Sequence, residues 1–188
     1  MSSSEGAYPT ANCGAESCKN CPLTKEIQCH HRPLDFLWHL AILAPVIATG
    51  GIGLWYSGKG ILTSWILQLI LFSVFIKTRV LCSHCPRYVE RGDILRCWAG
   101  FGIPKLWRYQ TGTLSVGERI VFFASHIIVW SYPILFMFLA SDKLFFLCLY
   151  TASLALFYVL KRNFFCKKCI NFACPLNCTP PGVRRYFY

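Results

Sequence analysis

The sequence predicts an all-α integral membrane protein, a four-transmembrane-helix bundle of two repeated hairpins with cytoplasmic cysteine-rich, metal-binding segments. Composition supports this class, because 55% of the 188 residues are hydrophobic and only 14% are charged, against about 25% in a typical soluble domain. The charge is also unbalanced, with 19 Lys and Arg against 8 Asp and Glu. In so apolar a chain, excess cations indicate orientation in a bilayer rather than nucleic-acid binding.

Four segments are long and apolar enough to cross a hydrocarbon layer, which takes about 20 helical residues. They comprise residues 34–56, 61–75 (with a continuation toward 81), 120–140 and 144–160. Short turns join them into two hairpins. The predicted organisation is an N-terminal cysteine-rich segment 1–33, a first hairpin 34–81, a loop 82–118, a second hairpin 119–163 and a tail 164–188.

The distribution of cations predicts the orientation of the bundle. Only Lys59 and Lys143 lie in the two short turns, and the other 17 Lys and Arg lie in the N-terminal segment, the loop, the tail and their flanks. By the positive-inside rule, both termini and the loop face the cytoplasm, which places the protein in the cytoplasmic (inner) membrane of the cell.

The two hairpins also resemble copies of each other. At offsets of 84 to 88 residues, Arg32, His39, Pro45, the Ser57 turn and Cys82-x2-Cys85 recur as Arg119, His126, Pro133, the Ser141 turn and Cys166-x2-Cys169. Both copies start on the same side, so the pattern predicts a parallel repeat about an axis along the membrane normal. In the first span, Gly50, Gly51 and Gly53 predict a close approach between helices.

Eleven of the 12 cysteines lie on the predicted cytoplasmic side, and the twelfth, Cys148, is expected to be a small core residue of the fourth span. Because a reducing cytosol disfavours disulfides, clustered thiols there indicate a metal. The predicted ligands form three groups: Cys13, Cys18, Cys21 and Cys29; Cys82, Cys85 and Cys97; and Cys166, Cys169, Cys174 and Cys178.

The spacing favours iron–sulfur clusters over structural zinc. A CxxC pair suits either kind of site. However, Pro follows Cys21, Cys85 and Cys174, as it follows the last cysteine of the bacterial ferredoxin run, and Cys13-x4-Cys18-x2-Cys21 has the plant-type ferredoxin spacing. Neither terminal group completes a ferredoxin motif. We expect two [4Fe–4S] clusters, with zinc as the alternative.

Two partitions of the ligands are open. Each terminal group could hold one cluster, which would leave the loop cysteines to be completed by His84 or an N-terminal histidine. Alternatively, the repeat brings Cys82, Cys85, Cys166 and Cys169 together as one site, with the remaining cysteines forming another.

Two histidines are candidate cofactor-binding residues within the membrane. His39 and His126 each lie seven residues after an arginine, about 10 Å into their helices. Ionisable groups at this depth usually face the bundle interior. If the repeat brings them together, the pair could ligate a b-type haem, hydrogen-bond a quinone, or fill a polar gap between helices.

The cysteine motifs resemble those of the membrane iron–sulfur proteins of the quinol-dehydrogenase type found in nitrate and nitrous-oxide respiration. The residues that carry the resemblance are RVLCSHCPRY (79–88) and FFCKKCINFACPL (164–176), which follow the second and fourth spans. The chain differs from that family in having CxxCP where the family has a three-residue spacing. The resemblance implies electron transfer between the quinone pool and a partner enzyme.

The sequence therefore predicts a membrane-bound iron–sulfur electron-transfer protein, a subunit of an oxidoreductase complex rather than an independent enzyme. It would link a quinone or haem site to a partner redox enzyme, with Lys167 and Lys168 raising the cluster potential. The alternative is a non-redox membrane anchor whose zinc-pinned loops dock a partner complex. The basic loop that contains Trp98, Phe101, Trp107 and Tyr109 is expected to contact lipid headgroups, not nucleic acid.

Overall fold

The computed structural model of the chain describes residues 22–23, 25–140 and 144–187. Over this part the protein is mostly helical and contains no β-strand, which confirms the all-α class. The helices are α1 (Pro33–Ser57), α2 (Lys59–Ile70), α3 (Lys77–Val80), α4 (Val116–Leu139), α5 (Leu144–Leu160) and α6 (Pro181–Arg184). Two π-helical segments continue them, Leu71–Ile76 between α2 and α3 and Lys161–Phe165 after α5. Short 3-10 helices form at Cys82–His84, Pro86–Val89, Cys166–Lys168 and Arg185–Phe187.

Four helical stretches are long and apolar enough to cross a membrane, as predicted: Pro33–Ser57, Lys59–His84, Val116–Leu139 and Leu144–Lys168. The second and fourth extend beyond their predicted ends, because the helix continues through the basic residues to the cysteines, as α3 in the second span and as a π-helical segment in the fourth. Many large apolar side chains of the bundle, such as Phe138 and Phe145, face outward. This exposure suits a protein whose solvent is lipid.

Helix α1 packs against α2, α4 and α5, and α4 packs against α5. The interior of the bundle is filled by Leu54, Trp65, Met137, Tyr150 and Phe157, all of which are buried. Aromatic rings thus make up much of the contact area between the helices.

Two glycines let α1 approach its neighbours closely. A Cβ atom on Gly50 would lie 2.8 Å from a ring carbon of Trp65, and one on Gly53 would lie 2.9 Å from the sulfur of Met137. Nothing lies within 4 Å of a Cβ on Gly51. The predicted close approach is therefore confirmed for Gly50 and Gly53 and is wrong for Gly51, which faces outward.

Pro133 lies inside α4 and cannot donate a hydrogen bond to the carbonyl of Val129, four residues earlier. The indole Nε1 of Trp65, which is 1% exposed, donates to that carbonyl instead, at 3.0 Å. The hydroxyl of Tyr150 donates to the next carbonyl, that of Trp130, at 2.9 Å. Because lipid offers no hydrogen bonds, these side chains satisfy the backbone that the proline disturbs.

The loop and the tail meet at one end of the bundle and form what we call the cap, residues 27–32, 81–115 and 166–187. The side-chain amide of Asn171 donates to the carbonyl of Leu81 at 2.9 Å. The backbone amide of Gln28 donates to the carbonyl of Lys168, also at 2.9 Å. Helix α4 begins beside the cap with a capping box, in which Ser115 and Glu118 bond each other's backbone amides. These contacts hold three distant parts of the chain together.

Replacing Gly50 with alanine should destabilise the bundle, and the same change at the neighbouring Gly51 should not. The new methyl group at Gly50 meets Trp65 and Tyr150, and overpacking of this kind costs about 1–3 kcal/mol. At Gly51 the methyl group meets open space and improves helix propensity. Unfolding of both variants in mixed detergent micelles measures the difference. Equal losses of unfolding free energy would contradict the described packing.

Candidate metal centre

Six cysteines line one cavity of about 110 Å³ in the cap, which we call the cysteine cavity. They come from the loop and the tail in equal numbers: Cys82, Cys85 and Cys97, and Cys166, Cys169 and Cys174. All six are free thiols. The structure thus brings together two groups of predicted ligands that lie more than 60 residues apart in the sequence.

The two CxxC turns have nearly the same backbone conformation. Each first cysteine begins a 3-10 helix directly after a long apolar helix. The fourth residue of each turn is extended, with φ −88° and ψ 134° at Cys85 and φ −82° and ψ 129° at Cys169. This local match agrees with the repeat in the sequence, although the repeat of whole hairpins stays a prediction.

The remaining two cysteines of the cavity lie in irregular loops. Cys97 lies between Ile94 and Pro104, which form an isolated antiparallel bridge. Cys174 lies in a turn in which its amide donates to the carbonyl of Asn171 at 3.3 Å. The carbonyl of Cys169 in turn accepts from the Asn177 side chain at 2.7 Å. Polar side chains of the tail thus fix the thiol-bearing backbone.

Arg87 ties the N-terminal part of the cap to the loop. Its guanidinium is 4% exposed and donates to the carbonyls of Gln28 at 2.6 Å, His30 at 3.1 Å and Arg96 at 3.1 Å. It also lines the cysteine cavity. A buried guanidinium with three carbonyl acceptors is well hydrogen-bonded, yet it keeps its positive charge.

The lining of the cysteine cavity is cationic. Lys77, Lys161 and Arg87 contribute to it, and among the described residues no Asp or Glu does. Burial raises the pKa of the Cys85 thiol well above its usual range, and the nearby thiols of Cys97 and Cys169 raise it further. Burial also raises the pKa of Cys169, and that of Cys174 to about 11. Thiolates form here only with a strong electrophile, and a coordinated metal deprotonates a thiol outright.

The cysteine cavity is larger than the space that a single metal ion requires. Four thiolates 2.3 Å from one zinc ion would lie about 3.8 Å from each other. Among the described residues, no three His, Cys, Asp or Glu side chains converge closely enough to hold one ion. Instead, the six cysteines are part of the wall of a cavity of about 110 Å³, approaching the volume of an engineered cavity of about 150 Å³ that binds benzene. A group of several atoms fits such a wall of soft donors.

The other described cysteines lie outside the cavity wall. Cys178 is not part of the cavity wall, although its backbone amide donates to the carbonyl of Cys166 at 3.1 Å. Cys29 is buried in an apolar cluster that includes Cys85. Cys148 is exposed on α5, so the expectation of a small core residue is wrong. Three of the predicted ligands, Cys13, Cys18 and Cys21, lie outside the described residues.

His84 lies within the first CxxC turn, but it is not part of the cavity wall. Its ring is buried, with Nδ1 3.3 Å from the carbonyl of Gly112 and Nε2 3.4 Å from Glu118 Oε1. The same carboxylate oxygen pairs with Arg79 at 3.1 Å. His84 thus joins a polar network at the start of α4, and the expectation that it completes a metal site gains no support.

His39 and His126 do not contact each other among the described ring pairs. His39 packs on Trp98, Phe157 and Phe165. His126 packs on Trp130 and is hydrogen-bonded to the hydroxyl of Tyr158. The rings of Phe157 and Trp130, 6.1 Å apart, connect the two sets. Of the two histidines, only His126 lines the cysteine cavity.

Several side chains differ from their predicted positions. Trp98 is buried and lines the cysteine cavity, so its predicted place at the lipid headgroups is wrong. Lys167 and Lys168 are exposed and do not line this cavity. The cations that do, Lys77, Arg87 and Lys161, are not among the predicted site residues. The spacing of the two lysines is a usable signal, because each lies five residues before the first cysteine of a CxxC pair.

A larger cavity of about 510 Å³ lies between the start of α1 and the end of α5, and we call it the α1–α5 cavity. Its apolar wall includes Trp38, Ile42 and Leu160, and its polar wall includes Gln28, Arg32 and Lys168. Gln28 also lines the cysteine cavity, so the two spaces are neighbours.

No protein-family model, curated protein or solved structure matches the chain. The resemblance to membrane iron–sulfur proteins of the quinol-dehydrogenase type stays a prediction.

Replacing Arg87 with lysine should loosen the cap. A single ammonium group cannot reach the three carbonyls that the guanidinium bonds, and hydrogen bonds from a buried charge contribute about 1.5–3 kcal/mol each. We expect a loss of about 2–4 kcal/mol of unfolding free energy in detergent and faster proteolysis between α3 and α4. Arg91→Lys is the control, because Arg91 is exposed and the change should cost less than about 0.5 kcal/mol. Similar losses in both variants would contradict this role of Arg87.

Proposed function

We propose that the protein is a membrane-bound electron carrier that holds an iron–sulfur cluster in the cysteine cavity and passes electrons between the membrane and a partner redox enzyme. One observation carries the proposal: six free cysteines from two distant segments line a single cavity whose wall also contains three cationic side chains. A thiolate-ligated cluster is negatively charged and made of several atoms, so it suits both the charge and the size of this cavity.

The two CxxC turns are the best candidate ligands, namely Cys82, Cys85, Cys166 and Cys169. Their matched backbone conformations support a shared cluster with two ligands from each segment. Cys97 and Cys174 stand on the same wall as alternative ligands. A second [4Fe–4S] cluster, with Cys29 joined by Cys13, Cys18 and Cys21, stays a prediction.

When bound, the cluster would supply reversible one-electron transfer. The chain contributes the thiolates and a wall that limits water. Trp98 and Phe165, whose ring centroids are 4.8 Å apart, shield the cavity on the side of His39. Asn177 and Thr179 hold the carbonyl of Cys169, which fixes the turn that carries this sulfur.

We propose a quinone as the membrane-side redox partner, bound in the α1–α5 cavity. Its volume of about 510 Å³ lies within the usual range for small-ligand pockets, about 300–1,000 Å³. Trp38, Ile42 and Leu160 suit an apolar tail, and Arg32 and Lys168 offer hydrogen-bond donors to a quinone oxygen. Because aromatic rings lie between His39 and His126, we do not propose a haem that both histidines ligate.

We also propose that the cap faces the cytoplasm of a cell whose inner membrane holds the protein. The opposite end of the bundle has Lys59 as its one described cation, whereas the cap and the adjoining helix ends carry most of the others. This distribution fits the positive-inside rule, and a reducing compartment keeps cap thiols available for metal. Exposed cations such as Arg91, Arg108 and Lys167 would suit an acidic partner protein or anionic lipid.

Anaerobic purification tests the bound metal. We expect a brown protein with about four iron and four sulfide per chain for one cluster, and about eight of each for two. Cys85→Ala and Cys169→Ala should each lose about four iron, because each removes a ligand from the cysteine cavity. Cys148→Ala is the control and should keep the wild-type content. Colourless wild-type protein with stoichiometric zinc would overturn the proposal in favour of the zinc-pinned membrane anchor.

Filling the α1–α5 cavity should slow electron entry from a short-tailed quinol. Ile42→Trp places an indole in the cavity, so we expect at least a tenfold slower cluster reduction with unchanged iron content. Ile52 lies on the same helix and faces outward, 48% exposed, and Ile52→Trp serves as the control. Stopped-flow absorbance measures both rates. An unchanged rate in the Ile42 variant would place quinol oxidation elsewhere.

A further inference from the structure

Two lysines reach the cysteine cavity from matching positions in the chain. Lys77 and Lys161 each lie five residues before the first cysteine of a CxxC turn. Lys77 follows one π-helical segment, and Lys161 begins the other. Both line the cavity.

Contacts hold both ammonium groups in place. Lys77 Nζ donates to the carbonyl of Ala99 at 2.6 Å. Lys161 Nζ lies over the ring of Phe157, 5.4 Å from its centroid, and 6.0 Å from that of Tyr158. Because both side chains are half-buried, water screens their charges less than it screens those of the exposed Lys167 and Lys168.

Among the described residues, no carboxylate of the cavity wall neutralises these lysines. The carboxylate of Glu118, which forms the ion pairs of the described residues, pairs with Arg79 and His84 instead. Apart from the phenol of Tyr88, the groups on the wall that can become negative are the cysteine sulfurs. A negative charge nearby stabilises a half-buried cation, and a thiolate-ligated cluster would provide one.

We propose that Lys77 and Lys161 set the reduction potential of the cluster, an inference that rests on the proposed function. A fixed positive charge stabilises the more negative, reduced state and so raises the potential. In this role the lysines act through their charge and form or break no bond. The electron comes from a quinol in the proposed function, and from dithionite, the reductant of the redox titration, in the experiment below.

Anaerobic redox titration followed by EPR tests this role. At the wild-type midpoint potential, the oxidised-to-reduced ratio of the cluster should rise at least tenfold in Lys77→Met/Lys161→Met. For a one-electron couple this is a negative shift of about 59 mV. The control is Lys167→Met, one residue beyond Cys166 and exposed, where the ratio should change less than twofold.

The outcomes separate the two proposals. Wild-type protein without iron and sulfide would overturn the proposed function itself. A loaded double variant with the potential of Lys167→Met would overturn only the role of the lysines. If the double variant binds no iron, the single variants carry the test: a negative shift in each supports the role, and wild-type potentials in both overturn it.

Discussion

The carbonyl of Val129 illustrates the main constraint on this bundle, which is that every backbone polar group inside lipid needs a hydrogen-bond partner from the protein. Pro133 removes its helical partner, lipid offers no substitute, and the indole of a neighbouring helix supplies the missing hydrogen bond. The same requirement restricts turns, bridges and irregular backbone to places where protein or water can satisfy them. In the described residues, such backbone is concentrated in the cap. There the side chains of Arg87 and Asn171 donate to backbone carbonyls that have no helical partner. The cysteine cavity lies there because thiol-bearing turns need irregular backbone.

The spans were predictable from the sequence because hydropathy adds up over about 20 residues and is insensitive to detail. The ends of the spans were less predictable. Lys77 and Lys161 terminate the apolar runs, yet the helix continues through both, as α3 from Lys77 and in π-helical form from Lys161. A rule based on composition therefore ends each of these spans several residues before the helix itself ends. For this reason it does not identify the two lysines that line the cavity.

The candidate site was predictable in its residue types but only partly in its grouping. The repeated CxxC pairs pointed to a shared site, and the structure places them on one wall. The direction of a side chain within a turn was not predictable from the sequence. His84 turns toward Glu118 because the 3-10 helix sets its direction, and Trp98 turns inward to meet His39 and Phe165. Such directions depend on tertiary neighbours that no local pattern contains.

The bond between the Gln28 amide and the Lys168 carbonyl has a consequence for biogenesis. One partner leaves the ribosome before the first span and the other only after the last, so this side of the cavity cannot close until all four spans have been inserted. Maturation machinery that delivers a metal cofactor would therefore encounter an open, accessible set of thiols throughout translation. The wall of the cavity would then be complete only after the whole chain has been synthesised and inserted.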